Sequence, residues 1–334
     1  MKPKLAMYWA ASCGGCEVAL FNIGEHLFTL DEQFEIVFFP FLADFKYSDL
    51  VSYADASIDL GLFNGAIRTS ENKEMAELLR RKSKILVAFG SCAEEGCIPA
   101  LSNLSTAEAT FESVYLNNPS TRNPEKTIPQ PTFSVPEGEL SLPVFYDTVS
   151  TLDQVVDVDY SVPGCPPEPH RIWPVLEALL HSLTTGEELP PSGPVGCEQV
   201  ALCEECPLPR DESPVARFYR PHEVVAKPET CLLDQGILCL GPATRGGCGA
   251  LCPLVGMGCR GCYGLPPGVE DHGASMVSVI ATVMAVGSAE HKEQSLRKQV
   301  EEAMQSVVDP TGSFYRFSMA RSLLKRARST ETNR

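Results

Sequence analysis

The chain of 334 residues has room for one large domain or two ordinary ones, and 44% hydrophobic with 21% charged residues suffices for a real core. A net charge of −16 excludes a nucleic-acid surface, which needs clustered Lys and Arg, and is read first as solubility. The longest apolar run, Met276 to Val286, is too short to span a bilayer, so no membrane span is expected.

Met1-Lys2-Pro3-Lys4 runs straight into a short apolar strand, Leu5 to Ala10. That start is no secretory signal, and no twin-arginine signal precedes the fold, so a cytoplasmic chain is expected. Cys16 to Leu30 has helical periodicity through Val18, Leu20, Phe21, Ile23 and Leu27. Strands are predicted over Glu35 to Leu42 and Ala56 to Phe63, then an amphipathic helix over Glu71 to Lys82. Ile85 to Phe89 reads as a buried strand ended by Gly90. Asn117 to Pro143 holds six prolines and reads as a long connection, either a covering loop or a partner contact, with disorder as the plain alternative. Val155 to Val162 is another strand and Arg171 to Leu183 another helix. This alternation predicts a doubly wound, mostly parallel α/β sheet. Thr184 to Gly196, with Pro190, Pro191 and Pro194, reads as a linker. From Cys197 to about Gly268 the chain is rich in Cys, Gly and Pro and is expected to form little core of its own. Helices resume over Glu270 to Gly287 and His291 to Val308, and a basic tail carries Arg316, Arg321, Lys325, Arg326 and Arg328. The domains expected are 1–185, 186–270 and 271–334.

Fourteen cysteines dominate this pattern. Three pairs, Cys13/Cys16, Cys203/Cys206 and Cys259/Cys262, have the C-x2-C spacing, which aims two thiolates at one metal or cluster from a tight turn. Disulfides would need an oxidising compartment, and such short loops would stabilise little. Cys13, Cys16, Cys92 and Cys165 all fall at carboxyl ends of predicted parallel strands, where open α/β sheets bind ligands. Zinc would accept these four thiolates. Gly14, Gly15, Gly90 and Gly164 favour a 4Fe–4S cluster, because they let amides approach sulfide, and Pro166 after Cys165 gives the Cys-Pro ending common among cluster ligands. Spacing groups Cys203, Cys206, Cys231 and Cys239 as a second set, and Cys248, Cys252, Cys259 and Cys262 as a third. Cys197 is left over, and spacing alone leaves open whether it replaces Cys203.

Cys13-Gly-Gly-Cys16, Gly90-Ser-Cys92-Ala and Pro163-Gly-Cys165-Pro-Pro together resemble the proximal-cluster signature of nickel–iron hydrogenase small subunits. Three later stretches resemble one branch, the cytoplasmic methyl-viologen-reducing type that works with heterodisulfide reductase. They are Cys231 to Cys248, Cys259-Arg-Gly-Cys262-Tyr-Gly, and the tail from Asp309-Pro-Thr-Gly. The resemblance implies a flavodoxin-like domain with the proximal 4Fe–4S cluster, followed by an irregular domain with medial and distal clusters. Carried over by order, the second set takes the distal cluster and the third the medial one. Many relatives have His where Cys203 stands, which supports Cys203 over Cys197. Some relatives have a Pro in the medial set and hold three irons; Cys252 implies four here. Oxygen-tolerant relatives carry an extra cysteine where Cys97 stands and a second where this chain has Gly15; with one missing, Cys97 is assigned to packing.

The resemblance implies an electron-transfer subunit with no catalytic residue of its own. Its partners would be a nickel–iron large subunit and a downstream subunit of heterodisulfide-reductase type. The chain lacks the paired C-x2-C motifs near both termini that hold nickel in the large subunit. The alternatives are a related complex I-like redox subunit and a zinc-stabilised interaction module. Among other residues, Glu17 is expected as an exposed acid in a first helical turn, with proton relay as the rival reading. His170, His222 and His272 are expected not to be ligands, and Arg80, Arg81 and Lys82 to form a solvated helix end. No nucleotide or acyl-transfer motif appears.

Overall fold

Alternation along β1 (Lys4–Trp9) sends Leu5 and Met7 to one apolar layer and Ala6 and Tyr8 to the other. This double burial sets the architecture of the first half. The structure is a computed structural model and describes residues 2–211, 215–284, 298, 301 and 305–324.

After β1 come α1 (Gly15–Phe21), α2 (His26–Gln33), β2 (Glu35–Phe38), α3 (Tyr47–Ser52) and β3 (Ile58–Asn64). Next are β4 (Ile67–Thr69), α4 (Ser70–Lys82), β5 (Ser83–Phe89), α5 (Ser91–Glu95) and α6 (Ala107–Phe111). A hairpin of β6 (Thr132–Val135) and β7 (Gly138–Ser141) leads to β8 (Phe145–Ser150), β9 (Tyr160–Val162), α7 (Pro169–Thr185) and β10 (Gly193–Pro194). The remainder holds α8 (Leu202–Glu205), α9 (Leu251–Leu254), α10 (His272–Val283) and α11 (Pro310–Phe314).

Six strands pair in parallel in the order β10-β9-β5-β3-β1-β2. That is the flavodoxin-like order, whose switch point lies between β1 and β3. On one face Leu5, Leu62 and Val87 pack against Leu20 of α1 and Ile172, Leu176 and Leu179 of α7. On the other, Phe63, Leu86 and Ala88 pack against Met75, Leu78 and Leu79 of α4. The Thr69 hydroxyl accepts the Asn72 amide at 3.3 Å and caps α4.

Several expectations are corrected. The helix expected from Cys16 to Leu30 is two helices, separated at Gly24, whose φ of +70° breaks the turn. β2 ends at Phe38, two residues before Pro40. Of Val155 to Val162 only the last three residues pair, because Leu86 N–H is taken by the Asp159 carboxylate at 2.7 Å rather than by a longer strand. The linker is no plain tether, since Gly193–Pro194 adds an edge strand to the sheet. The Cys-rich region shares its core with its neighbours rather than forming one of its own: Leu202, Phe218, Leu232, Leu233, Ile237 and Leu240 are buried together with Met276, Ile280 and Phe314. That core also takes in Ala66, Ala100 and Val149 of the first half. The helix expected from His291 to Val308 lies mostly outside the described residues, as do Lys325, Arg326 and Arg328. Among the described residues, no helix is long and apolar enough to cross a membrane.

Candidate functional site

The carboxyl edge of the sheet gathers the first four thiols. Cys13 follows β1, Cys16 lies in the first turn of α1, Cys92 in the first turn of α5, and Cys165 just beyond β9. Gly90 makes this convergence possible. Its φ is +86°, and a Cβ there would stand 2.3 Å from Cys16 Sγ, so only glycine lets the end of β5 approach that thiol. Burial, followed by Glu17, Cys165, Cys13 and Cys97, pushes the Cys16 thiol strongly towards its protonated form. Thiolates packed this closely would repel one another, and a cationic metal centre held by them would relieve that repulsion.

Cys97 is buried, as a packing residue would be, and it packs at the first set itself. Its Sγ lies 3.6 Å from Cys165 Sγ, it hydrogen-bonds with Cys92, and it is fully buried, so the site contains a fifth thiol.

The other two sets are also assembled. Burial pushes Cys203 up to about 12, with Cys239, Cys231 and Cys206 close enough to add to the effect. A Cβ at Gly241 would sit 3.2 Å from Cys203 Sγ and 3.6 Å from Cys239 Sγ, so glycine keeps space open between these thiols. Burial likewise pushes Cys262 up to about 12, reinforced by Cys248, Cys165 and Cys252. The Cys259 thiol, raised by burial, has Cys239 and Cys262 as its next influences. Cys165 and Cys262 thus neighbour each other across the first and third sets. The Cys259 amide donates to Cys239 Sγ at 3.2 Å, joining the third set to the second. Cys197 packs against Gly247, one residue before Cys248; burial pushes it up to about 11, with Arg245, Glu94, Glu198 and Arg171 as the next influences.

Among the described residues no three His, Cys, Asp or Glu side chains converge on one point for a single metal ion. An iron–sulfur cluster takes one thiolate per iron, and the gathered donor sets suit that chemistry.

Glu17 departs from expectation. It is fully buried, and Asn64 Nδ2 donates to both carboxylate oxygens at 2.7 Å. Burial raises its carboxyl, and the Asn64 bond works against that rise. Sequence reasoning missed this because Asn64 ends β3 and is distant along the chain. His170 and His222 are exposed. His272 is buried, its pKa lowered to about 4 by that burial, with Nε2 against Gly261. The basic end of α4 is only partly solvated: Arg80 pairs with Asp159 at 2.6 Å and Lys82 with Asp55 at 3.0 Å.

Residues 13–179 match the family described as NADH ubiquinone oxidoreductase, 20 Kd subunit. The iron-sulfur subunit of the F420-non-reducing hydrogenase of Archaeoglobus profundus is 43% identical over 291 residues, covering 85% of this chain and 89% of the relative. The chain belongs to this hydrogenase small-subunit family. A subunit of the F420-non-reducing hydrogenase of Methanothermobacter marburgensis is 36% identical, covering 97% of this chain and 96% of its own length. Members of this family are components of oxidoreductase complexes. The NiFeSe hydrogenase of Dm. baculatum shares the fold, with a TM-score of 0.51 at 17% identity, covering 79% of this chain and 94% of that one.

Proposed function

We propose that the chain is the electron-transfer subunit of a nickel–iron hydrogenase and holds three 4Fe–4S clusters. Cys13, Cys16, Cys92 and Cys165 would hold the proximal cluster. Cys248, Cys252, Cys259 and Cys262 would hold the medial one, and Cys203, Cys206, Cys231 and Cys239 the distal one. Bound there, the clusters supply one-electron carriers between a nickel–iron centre on a large subunit and a downstream redox protein of heterodisulfide-reductase type.

The supporting observation is the string of neighbouring thiols: Cys165 beside Cys262, and Cys259 bonded to Cys239, so the three sets form a series. The chain's own part is positional. Gly90 and Gly241 keep space for the donors, and the buried apolar core fixes the second and third sets on the first. A cytoplasmic setting suits thiols that must stay reduced until loaded. The complex I-like alternative accounts for residues 13–179 but leaves nine later cysteines without a role.

The reading is tested by anaerobic co-expression with the large subunit and assay of hydrogen-dependent viologen reduction. Activity is expected only when both chains are present. Activity from this chain alone, or none from the pair when the large subunit carries its nickel, would overturn it.

A further inference from the structure

Residues 98–144 form an excursion that leaves from the proximal edge. The segment starts directly after Cys97, whose thiol lies 3.6 Å from that of Cys165. It returns through β8, which pairs antiparallel with β4, and β4 follows Ala66, bridged to Ala11 two residues before Cys13. The outgoing root therefore stands beside a proximal thiol, and the returning one enters the sheet opposite Thr69, at the other end of β4 from the Ala66–Ala11 bridge.

At its far end is the hairpin of β6 and β7, a sheet of two strands only. Phe133 pairs with Leu140, Val135 with Gly138, and the Leu142 amide continues the ladder to Pro131 O at 2.9 Å. Alternation puts Phe133, Val135, Leu140 and Leu142 on one face and Thr132, Ser134, Glu139 and Ser141 on the other. The apolar face is bare: Phe133 is 63% exposed, Leu140 58% and Leu142 56%. A lone two-stranded hairpin is marginal in water, and a contiguous exposed apolar face marks an interaction surface.

We propose that this hairpin is a docking arm whose apolar face packs on the hydrogenase large subunit. The proposal rests on the reading of the chain as a hydrogenase small subunit. The occupant follows from continuity. The arm leaves from the edge that exposes Cys13 and Cys165, next to Trp9, and that edge is the one a large subunit must cover. A downstream redox protein would instead approach the distal set, which is carried by the other half of the chain. An apolar face without a charged residue also suits a permanent interface better than a transient one.

The test uses the full chain co-expressed with its large subunit. A photo-crosslinking phenylalanine analogue replaces Phe133, and separately Phe133, Leu140 and Leu142 are each changed to Ser in one variant. Crosslinking to the large subunit is expected, with at least tenfold weaker association in the triple variant. Thr132→Ser on the opposite face should leave association unchanged. Crosslinks to a second copy of this chain or to a downstream redox protein, or unaltered affinity of the triple variant, would overturn the arm while leaving the hydrogenase reading intact. Failure of the wild-type chain to bind any nickel–iron large subunit would overturn both.

Discussion

Ser91 donates its hydroxyl to the carbonyl oxygen of Cys262, linking the turn that carries Cys92 to a residue of the third thiol set. The same hydroxyl accepts the Gly164 amide at 3.3 Å, so one buried side chain ties together the segments of Cys92, Cys165 and Cys262. Their relative placement is thus set by protein contacts.

Ser91→Ala removes the donor and the acceptor at once, leaving a buried carbonyl and a buried amide without that partner. The expected loss is about 1–3 kcal/mol of stability. It should appear as a lower anaerobic Tm of the iron-loaded protein, with the iron content of the Cys203 set unchanged. An unaltered Tm would show that the bond contributes nothing.

Gly90→Ala tests the convergence of the first set. The new methyl would meet Cys16 Sγ at 2.3 Å in a backbone conformation that disfavours side chains. Iron should fall by about four atoms per chain, the content of one cluster. Retention of full iron would mean that the end of β5 can retreat.

Cys206→Ser and Cys197→Ser form a discriminating pair. The first removes a member of the Cys203, Cys231 and Cys239 group and should cost about four irons. The second removes a thiol whose leading influences are charged side chains rather than cysteines, and should cost none. The reverse result would exchange the two residues in the distal assignment.

Much of the parallel sheet was legible because β3, β5 and β9 are closed directly by Gly65, Gly90 and Pro163, and the cysteines at the sheet edge followed; β10 was not, since Gly193–Pro194 carries no strand pattern. Spacing alone left open whether Cys197 or Cys203 joins Cys206, Cys231 and Cys239, because only the fold brings those three near Cys203. Glu17 was not, since its burial depends on Asn64, which is brought beside it by the pairing of β1 with β3. Cys97 read as packing because only the fold brings its thiol to Cys165. The hairpin was hidden among prolines: with both its faces exposed, local alternation had no core to report.

Glu95 gives a pH dependence. It is fully buried; burial first, then Glu94, raises its carboxyl to about 8, against the opposing influence of Arg321 and Arg245. Between the unfolded value of about 4.3 and about 8 the folded chain keeps a proton that the unfolded chain has lost. Stability from this group is therefore full below that window and declines as pH rises through it. Glu95→Gln should show a shallower fall in Tm from about pH 5 to pH 8 than the wild type. An identical slope would exclude this carboxyl as the cause.

The central claim is that twelve of the fourteen cysteines hold three clusters. Iron and acid-labile sulfide, counted on anaerobically prepared protein, test it most directly. Three 4Fe–4S clusters predict about twelve irons and about twelve sulfides per chain. A count near eight, or zinc in place of iron, would contradict the account.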